Sequence, residues 1–521
     1  MSRKTRSKRR RSGRGCVQKA NGVLHPRVQK VGPQHFGVVC VDVGKAKSEW
    51  MLCDFYGKVL IEPTEVLHTR CGFDLAILVL REALRKYRIR DQVVAVERTG
   101  NYHLPVKRAF AAASFETRIV HPFATKQFRQ PADPGNKTDP NDLDAMFRAT
   151  VTGFGLLEQE LDDVSRRLRL LTRHRRDLVE KRSSLCCQIR EHLDALLPGY
   201  AALFDEVWES AIAIHVARHF VSPELIREAN LEGLTHSLRQ AHIRVHQGVL
   251  QRILTWASNA TSPADATDIH QRIWTTLDDD RAAKTLEIQA LERDVASLLV
   301  QTPYVLLLSH PGINVVSAGE LAGEMGPITH YLNAKAITGR AGLFPSRYQS
   351  VDVDRADGKI IRCRNRRLRT ILMMIADNLI QCNHHFRGLN AIWKTQGKDP
   401  RWSRVKVACR FTRILYQIVA GRQVFRHPSQ RDRAYILDKL LTFHRQHATP
   451  LDKTLVDLNR AIHQIPKAEY NNEAAPLQTH CERTQNRRRR DPQPIGDILL
   501  VVLAKLGVGA VQSTSEDRDP S

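Results

Sequence analysis

Four carboxylates in the first third of the chain stand where a carboxylate needs a reason to be. Asp139 and Asp142, in the stretch KTDPNDLDA (137 to 145), are three residues apart at what reads as a helix start, so they share one helix face. Asp139 followed by Pro140 also fits a plain N-cap with proline at the first helical position, Asp142 then meeting the positive end of the helix dipole. Two acids upstream shift the weight toward chemistry. Asp42 interrupts the apolar run GVVCVDVGK (37 to 45), and a carboxylate within a valine strand is costly to bury unless it is paired or binds a cation. Glu97 ends a similar run in QVVAVERTG (92 to 100) and would lie beside Asp42 if the two strands pair; a surface pair with Arg98 or Lys107 is its plainer reading. Two like charges about 4 Å apart repel by roughly 4 kcal/mol at an effective dielectric near 20. Four gathered carboxylates therefore need a cation. Oxygen-only ligation with open positions suits Mg²⁺, and two such ions activate a nucleophile and stabilise the leaving oxygen in phosphoryl transfer.

The elements that must position these acids follow from the pattern around them. Runs at 37 to 45, 50 to 55 and 58 to 62 read as strands of a meander, followed by an amphipathic helix over 73 to 87. The strand ending at Glu97, a helix over about 103 to 113, a strand over 117 to 121 and the KTDPNDLDA helix complete an α/β domain over residues 35 to 155. Three strands, then helix, strand, helix, strand, helix is the order of a ribonuclease-H-like domain.

Residues 156 to 300 read as an all-α, coiled-coil region. Positions 157, 161, 164, 168, 171, 175, 178, 182, 185, 189, 192 and 196 follow steps of four and three and are apolar except Arg175, Arg182 and His192, a heptad seam ended by Pro198. A second seam, Ile288, Leu291, Val295 and Leu298, precedes Pro303 and suits an antiparallel hairpin or a pairing between protomers. Residues 200 to 280 look helical and carry no recognisable chemistry. A mostly helical unit over 301 to 426 opens with LSHPGINVVSAGELAGEMG, which is either a helix-hairpin-helix-like segment offering turn amides to phosphate or a helical turn without a ligand. Leu368, Ile371, Leu372, Ile375 and Leu379 form the buried stripe of a later helix. Before it and along its start run Lys359, Arg362, Arg364, Arg366, Arg367 and Arg369, with no acid until Asp377. Such a run is a solvated face or, beside the loop serines Ser346 and Ser350, a cradle for a scissile phosphate near a hydroxyl nucleophile.

Charge narrows the class of partner. The formal net charge is +25 with a pI of about 9.9, which points to a polyanion, nucleic acid before any other. Residues 1 to 34 hold eleven Lys or Arg and no acid, the pattern of a disordered basic tail, yet more than half of the excess charge lies beyond them. Residues 427 to 521, with the Arg487 to Arg490 run, read as a basic, partly disordered extension. Ten cysteines without a CxxC pair suit reduced thiols in a cytoplasmic protein, and a Cys382, His384, His385 cluster lacks further metal ligands at the right spacing. No secretory signal is visible, and the apolar stretch Ile498 to Leu506 is too short to span a bilayer, so no membrane partner is expected.

Several segments in order resemble the insertion sequence 110 family of bacterial transposases: VDVGK with Asp42, VERTGNYHLP with Glu97, KTDPNDLDA, the heptad helices, HPGINVVSAGELAGEMG, AGLFPSRYQS, NRRLR and WSRVKVACRFTRILYQI. The resemblance covers about residues 36 to 426. It implies that Asp42, Glu97, Asp139 and Asp142 are the DEDD set of a RuvC-like domain assisted by Mg²⁺. It implies further that Ser350 is the nucleophile of a transposase domain, attacking a DNA phosphate to give a covalent phosphoserine before strand exchange. A structured guide RNA, a homo-oligomer of two or four chains, element-end and target DNA, and a place on the nucleoid come with the family. In this chain Val351 follows the serine where the family usually has glycine, Cys363 and Arg364 replace a small-residue turn, and Asn314 stands where a second glycine is common. Two other readings stand beside recombination: a RuvC-type metal-dependent nuclease without a serine intermediate, and a non-catalytic, transposase-derived nucleic-acid-binding protein.

Overall fold

The computed structural model describes residues 22–129, 138–158, 161–261, 263, 265–349, 354–355, 358, 360–361, 364–426, 432–469 and 472–473. Ser350, Val351, Lys359, Arg362, Cys363, the Arg487 to Arg490 run and the first 21 residues lie outside them. The chain divides into two units, Met1–Glu160 and Leu161–Ser521.

Residues 22 to 34 were expected within the disordered tail, yet α1 (His25–Val31) buries Leu24 and Val28, and Arg27 pairs with Asp91 and Glu116. An arginine with two carboxylates to meet is a tether, not a free charge. The apolar runs then form one sheet: β1 (Phe36–Val43), β2 (Lys47–Asp54), β3 (Val59–Leu67), β4 (Asp91–Glu97) and β5 (Thr117–Val120), in the order β3-β2-β1-β4-β5. β1 to β3 meander antiparallel; β4 lies parallel to β1 and β5 parallel to β4. Parallel neighbours need crossovers, which α2 (Arg70–Lys86) and α3 (His103–Ala112) supply. Alternation along each strand makes two cores. Val39, Val41, Val43, Val94 and Val96 join Leu80 and Phe110, while Val38, Cys40, Val93 and Ala95 join Leu143, Met146 and Phe147. Those last three belong to α5 (Asp139–Val151), which follows α4 (Pro122–Arg129), a helix the sequence pattern did not separate.

The second unit is helical. α6 (Asp163–Leu196) and α10 (Thr267–Leu299) lie antiparallel, His174 meeting Glu287 and Arg175 meeting Glu292 toward one end, His192 meeting His270 at the other. The heptad positions from 161 to 196 are all buried or half-buried, and Leu157 is exposed. Between these two helices α7 (Ala211–His219), α8 (Pro223–Gln240) and α9 (Gln247–Asn259) close a core of their own around Ile189, Leu193, Val216, Leu250 and Trp274.

Beyond α10 a 3₁₀ helix, Pro303–Ser309, turns through Gly312 (φ +88°) into α11 (Val315–Met325), so the first arm of the expected helix-hairpin-helix is not an α-helix. A side chain at Gly319 would meet Val295 within 2.4 Å, and one at Gly323 would meet the α6 backbone at Arg169 N within 2.7 Å. These glycines serve close helix packing. α12 (Ala334–Ala341), a two-stranded ribbon of β6 (Tyr348–Gln349) and β7 (Asp354–Arg355), α13 (Arg366–Cys382), α14 (His384–Thr395) and α15 (Pro400–Gly421) follow. α16 (Ile436–Gln446) and α17 (Leu451–Gln464), expected in a basic extension, instead bury Leu437, Leu440, Leu441, Leu455 and Leu458 in the main core. Interleaved charges hid their apolar faces. Among the described residues no helix is long and apolar enough to cross a membrane.

Candidate catalytic centre

Strand register settles where the acids go. Val41 pairs with Val96, so Asp42 and Glu97, each the next residue, come side by side at the ends of β1 and β4. Val41 faces the α2 and α3 core; alternation turns Asp42 to the opposite face, the one α5 covers. α5 begins there. Its cap is Thr138, whose hydroxyl accepts from Asn141 N at 3.4 Å, one residue earlier than expected, which makes Asp139 and Pro140 the first two helical residues and leaves both aspartates off cap duty. Asp42, Glu97, Asp139 and Asp142 all line one cavity of about 590 Å³.

The electrostatics agree with that placement. Burial, then the charges of Glu97, Asp142 and Asp139, push the Asp42 carboxyl up to about 6. Asp142, 6% exposed, is ion-paired with Arg129 at the end of α4. Thr99 Oγ1 donates to Glu97 Oε2 at 3.4 Å.

Two further acids belong to the cavity and were missed in the sequence. Glu49 on β2 is the register partner of Asp42, and Glu65 on β3 is the partner of Glu49. One sheet face thus carries an acid on each of four adjacent strands: Glu65, Glu49, Asp42, Glu97. Glu65 pairs with Lys47. Glu49 Oε2 is buried with no hydrogen-bond partner among the described residues, and burial, with Asp139 and Glu65, raises its carboxyl above the usual range. The signal that could have found them was strand length: β2 begins three residues before the predicted run and β3 ends five residues after it.

Six carboxylates against Lys47, Lys126 and Arg129 make a cavity with excess negative charge, and hard oxygen donors of this kind suit a divalent cation. As the side chains stand, no three Asp, Glu, His or Cys among the described residues are gathered closely enough to hold an ion. The donor chemistry fits a divalent cation, and Asp142 is held in an ion pair with Arg129. The Cys382, His384, His385 cluster forms no such group either; Cys382 Sγ donates to Asn378 Oδ1 at 3.3 Å.

In the second unit the predicted basic run divides. Arg369 donates to Ala341 O at 2.8 Å and to Ile361 O at 3.0 Å, so it ties the loop to the helices. Arg364, Arg366 and Arg367 are exposed. The Pro-Gly turn before α11 is likewise tied inward. Lys439, its pKa lowered to about 8 by burial, donates to the carbonyls of His310 and Ile313, and a reciprocal capping box pairs the amides of Asn314 and Ser317 with each other's side chains.

Two family models match the chain. One, a DEDD transposase model of the insertion sequence 110 type described as Transposase, matches residues 39–198 and so includes all four predicted acids. The other, Transposase IS116/IS110/IS902 family, matches residues 304–390, which include Ser350 and the basic run. No curated protein matches.

Proposed function

We propose that this chain, which belongs to the insertion sequence 110 family of transposases, cuts and rejoins DNA by transesterification at a serine, with Asp42, Glu97, Asp139 and Asp142 as its acidic centre. The observation that carries the reading is the convergence of those four carboxylates on one cavity of the sheet face. In the proposed step Ser350 Oγ attacks a DNA phosphorus, forming a serine phosphodiester as the bond to one deoxyribose oxygen breaks and that oxygen takes up a proton. Attack by the hydroxyl of another strand then restores Ser350 and joins the DNA, with no hydrolysis and no external energy source. Bound divalent metal, Mg²⁺ in this proposal, supplies charge neutralisation of the phosphate and of the developing alkoxide. Asp42 and Glu97 offer carboxylates from rigid strand ends, and Asp139 and Asp142 offer theirs from the first turn of α5. Arg364, Arg366 and Arg367 are proposed as DNA contacts; a guide RNA and a homo-oligomer come with the family resemblance. Incubating the protein with cognate DNA should leave a protein–DNA adduct that Ser350→Ala abolishes.

One observation favours a second reading, in which the acidic centre hydrolyses DNA unaided: the whole carboxylate cavity is built from residues of the first unit. In that case Ser350→Ala cuts as the wild type does, and no adduct forms.

A further inference from the structure

The α14–α15 hairpin carries a feature that neither the acidic centre nor the serine loop uses. From residue 383 to residue 413 it has eight Lys or Arg and a single acid, Asp399, whose side chain is taken up capping α15 by accepting from Arg401 N. Arg404 is paired with Asp377 on α13. Lys394, Lys398, Arg401, Lys406 and Arg410 are exposed and, among the described residues, in no ion pair. In their midst is an indole. Trp402 is 39% exposed and stands edge-to-face on the buried Trp393, ring centroids 5.4 Å apart at 82°. Lys406 Nζ lies 5.1 Å and Lys398 Nζ 5.9 Å from the Trp402 centroid, and Arg410 lies 5.1 Å from that of Trp393.

Resting on the reading that this chain works on nucleic acid, we propose that Trp402 is a stacking platform for an unpaired base of single-stranded nucleic acid. Lys398 and Lys406 move from the ring to the phosphates on either side of that base. Three features select this occupant. Phosphate contact alone requires no half-exposed indole, whereas every base offers a face to one. A duplex keeps its bases stacked on each other and reads the cations only. A second copy of the same surface is repelled by its like charge. The buried Trp393 holds the platform before the strand arrives, so little side-chain freedom is lost on binding.

The test uses the full chain and labelled strands of roughly twelve nucleotides, as single-stranded RNA, single-stranded DNA and the DNA duplex, with binding read by fluorescence anisotropy. Trp402→Ala weakens single-strand binding about tenfold and duplex binding less than about twofold, whereas Trp402→Phe keeps most of the affinity. Trp402→Leu, which still covers Trp393 but has no ring, behaves as the alanine variant does and guards against a folding defect, checked by its melting curve. Changing both Lys398 and Lys406 to Gln lowers the slope of log affinity against log salt by about 1.5. Tighter binding of RNA than of DNA assigns the platform to RNA, the reverse to DNA, and either keeps the proposal. Trp402→Leu binding single strands as the wild type does, or losing duplex and single strand equally, overturns it while leaving the recombinase reading intact. A wild-type chain without affinity for any strand overturns both.

Discussion

Both units hold buried carboxylates, and those of the sheet-face cavity and those between α6, α10 and α11 are treated in opposite ways. In the second unit α6 presents arginines to the acids of α10 and α11: Arg173 to Glu324 at 2.6 Å, Arg175 to Glu292 at 2.5 Å, Arg176 to Glu320 at 2.7 Å, with His447 also on Glu292 at 2.6 Å. Burial works to raise the Glu324 carboxyl, yet Arg173 and Asn365 carry it below the ordinary value. In the first unit burial raises Asp42 too, and there the nearest charges, Glu97, Asp142 and Asp139, raise it further. Burial is common to both, so the sign of the neighbour separates an acid that holds helices together from one that its own neighbours repel.

The same change made in each unit should therefore have opposite effects. Asp42→Asn removes a charge its surroundings oppose: DNA cleavage falls on the order of a thousandfold or more, while the melting temperature stays level or rises. Full cleavage by that variant would end the catalytic reading. Glu292→Gln removes a charge its surroundings require. It leaves Arg175 and His447 facing a neutral amide in a mostly buried site and costs about 3 kcal/mol in denaturant unfolding, softened by the 3.6 Å approach of Arg175 to Glu320. A Glu292→Gln chain as stable as the wild type would break the contrast from the other side.

How much of this was legible in the sequence follows from the range of each interaction. Asp42 and Glu97 were legible because an acid in a valine run is a local anomaly, and the strand order then brings them together. Glu49 and Glu65 were not, because each sits in a polar strand end whose register, and not whose composition, brings it to the site. Arg129 was equally hidden, since nothing in a basic helix end announces which carboxylate it will reach. The heptad seam of α6 was readable, but its arginines meet acids more than a hundred residues away, so network and solvated charge look alike in one dimension. α16 and α17 were missed because the lysines and aspartates between their leucines read as a solvated tail.

pH sharpens the comparison next. The native Asp42 carboxyl titrates near 6 against an ordinary 3.8, so between these values the folded chain holds a proton that the unfolded chain has released. Stability from this group is thus lost as pH rises from about 4 to 6, and Asp42→Asn, which cannot ionise, gains on the wild type across that window. After allowance for solvent in the cavity the gain is roughly 2 kcal/mol, read as the difference between the two denaturation series. Saturating Mg²⁺ at neutral pH should stabilise the wild type and not the variant. A difference that stays flat from acid to neutral pH would place Asp42 away from its three neighbours.

The smallest effect comes from a contact at the acidic cavity that resembles the pairs of the second unit. Arg129 grips Asp142 as α6 grips its glutamates, but it does so at the rim of a cavity with more acids than cations. Without metal, Arg129→Gln leaves Asp142 among like charges and costs about 1 kcal/mol, less than a sealed pair because the cavity is open to water. With metal the sign of the argument changes, since a cation that must displace a guanidinium binds more weakly than one that need not. The variant should reach half its Mg²⁺-induced rise in melting temperature at a lower concentration than the wild type, and the cost seen without metal should shrink as the site fills. If the variant instead needs more Mg²⁺ and the cost persists at saturation, Arg129 is a structural tie like Arg175, and the contrast between the two units stops short of Asp142.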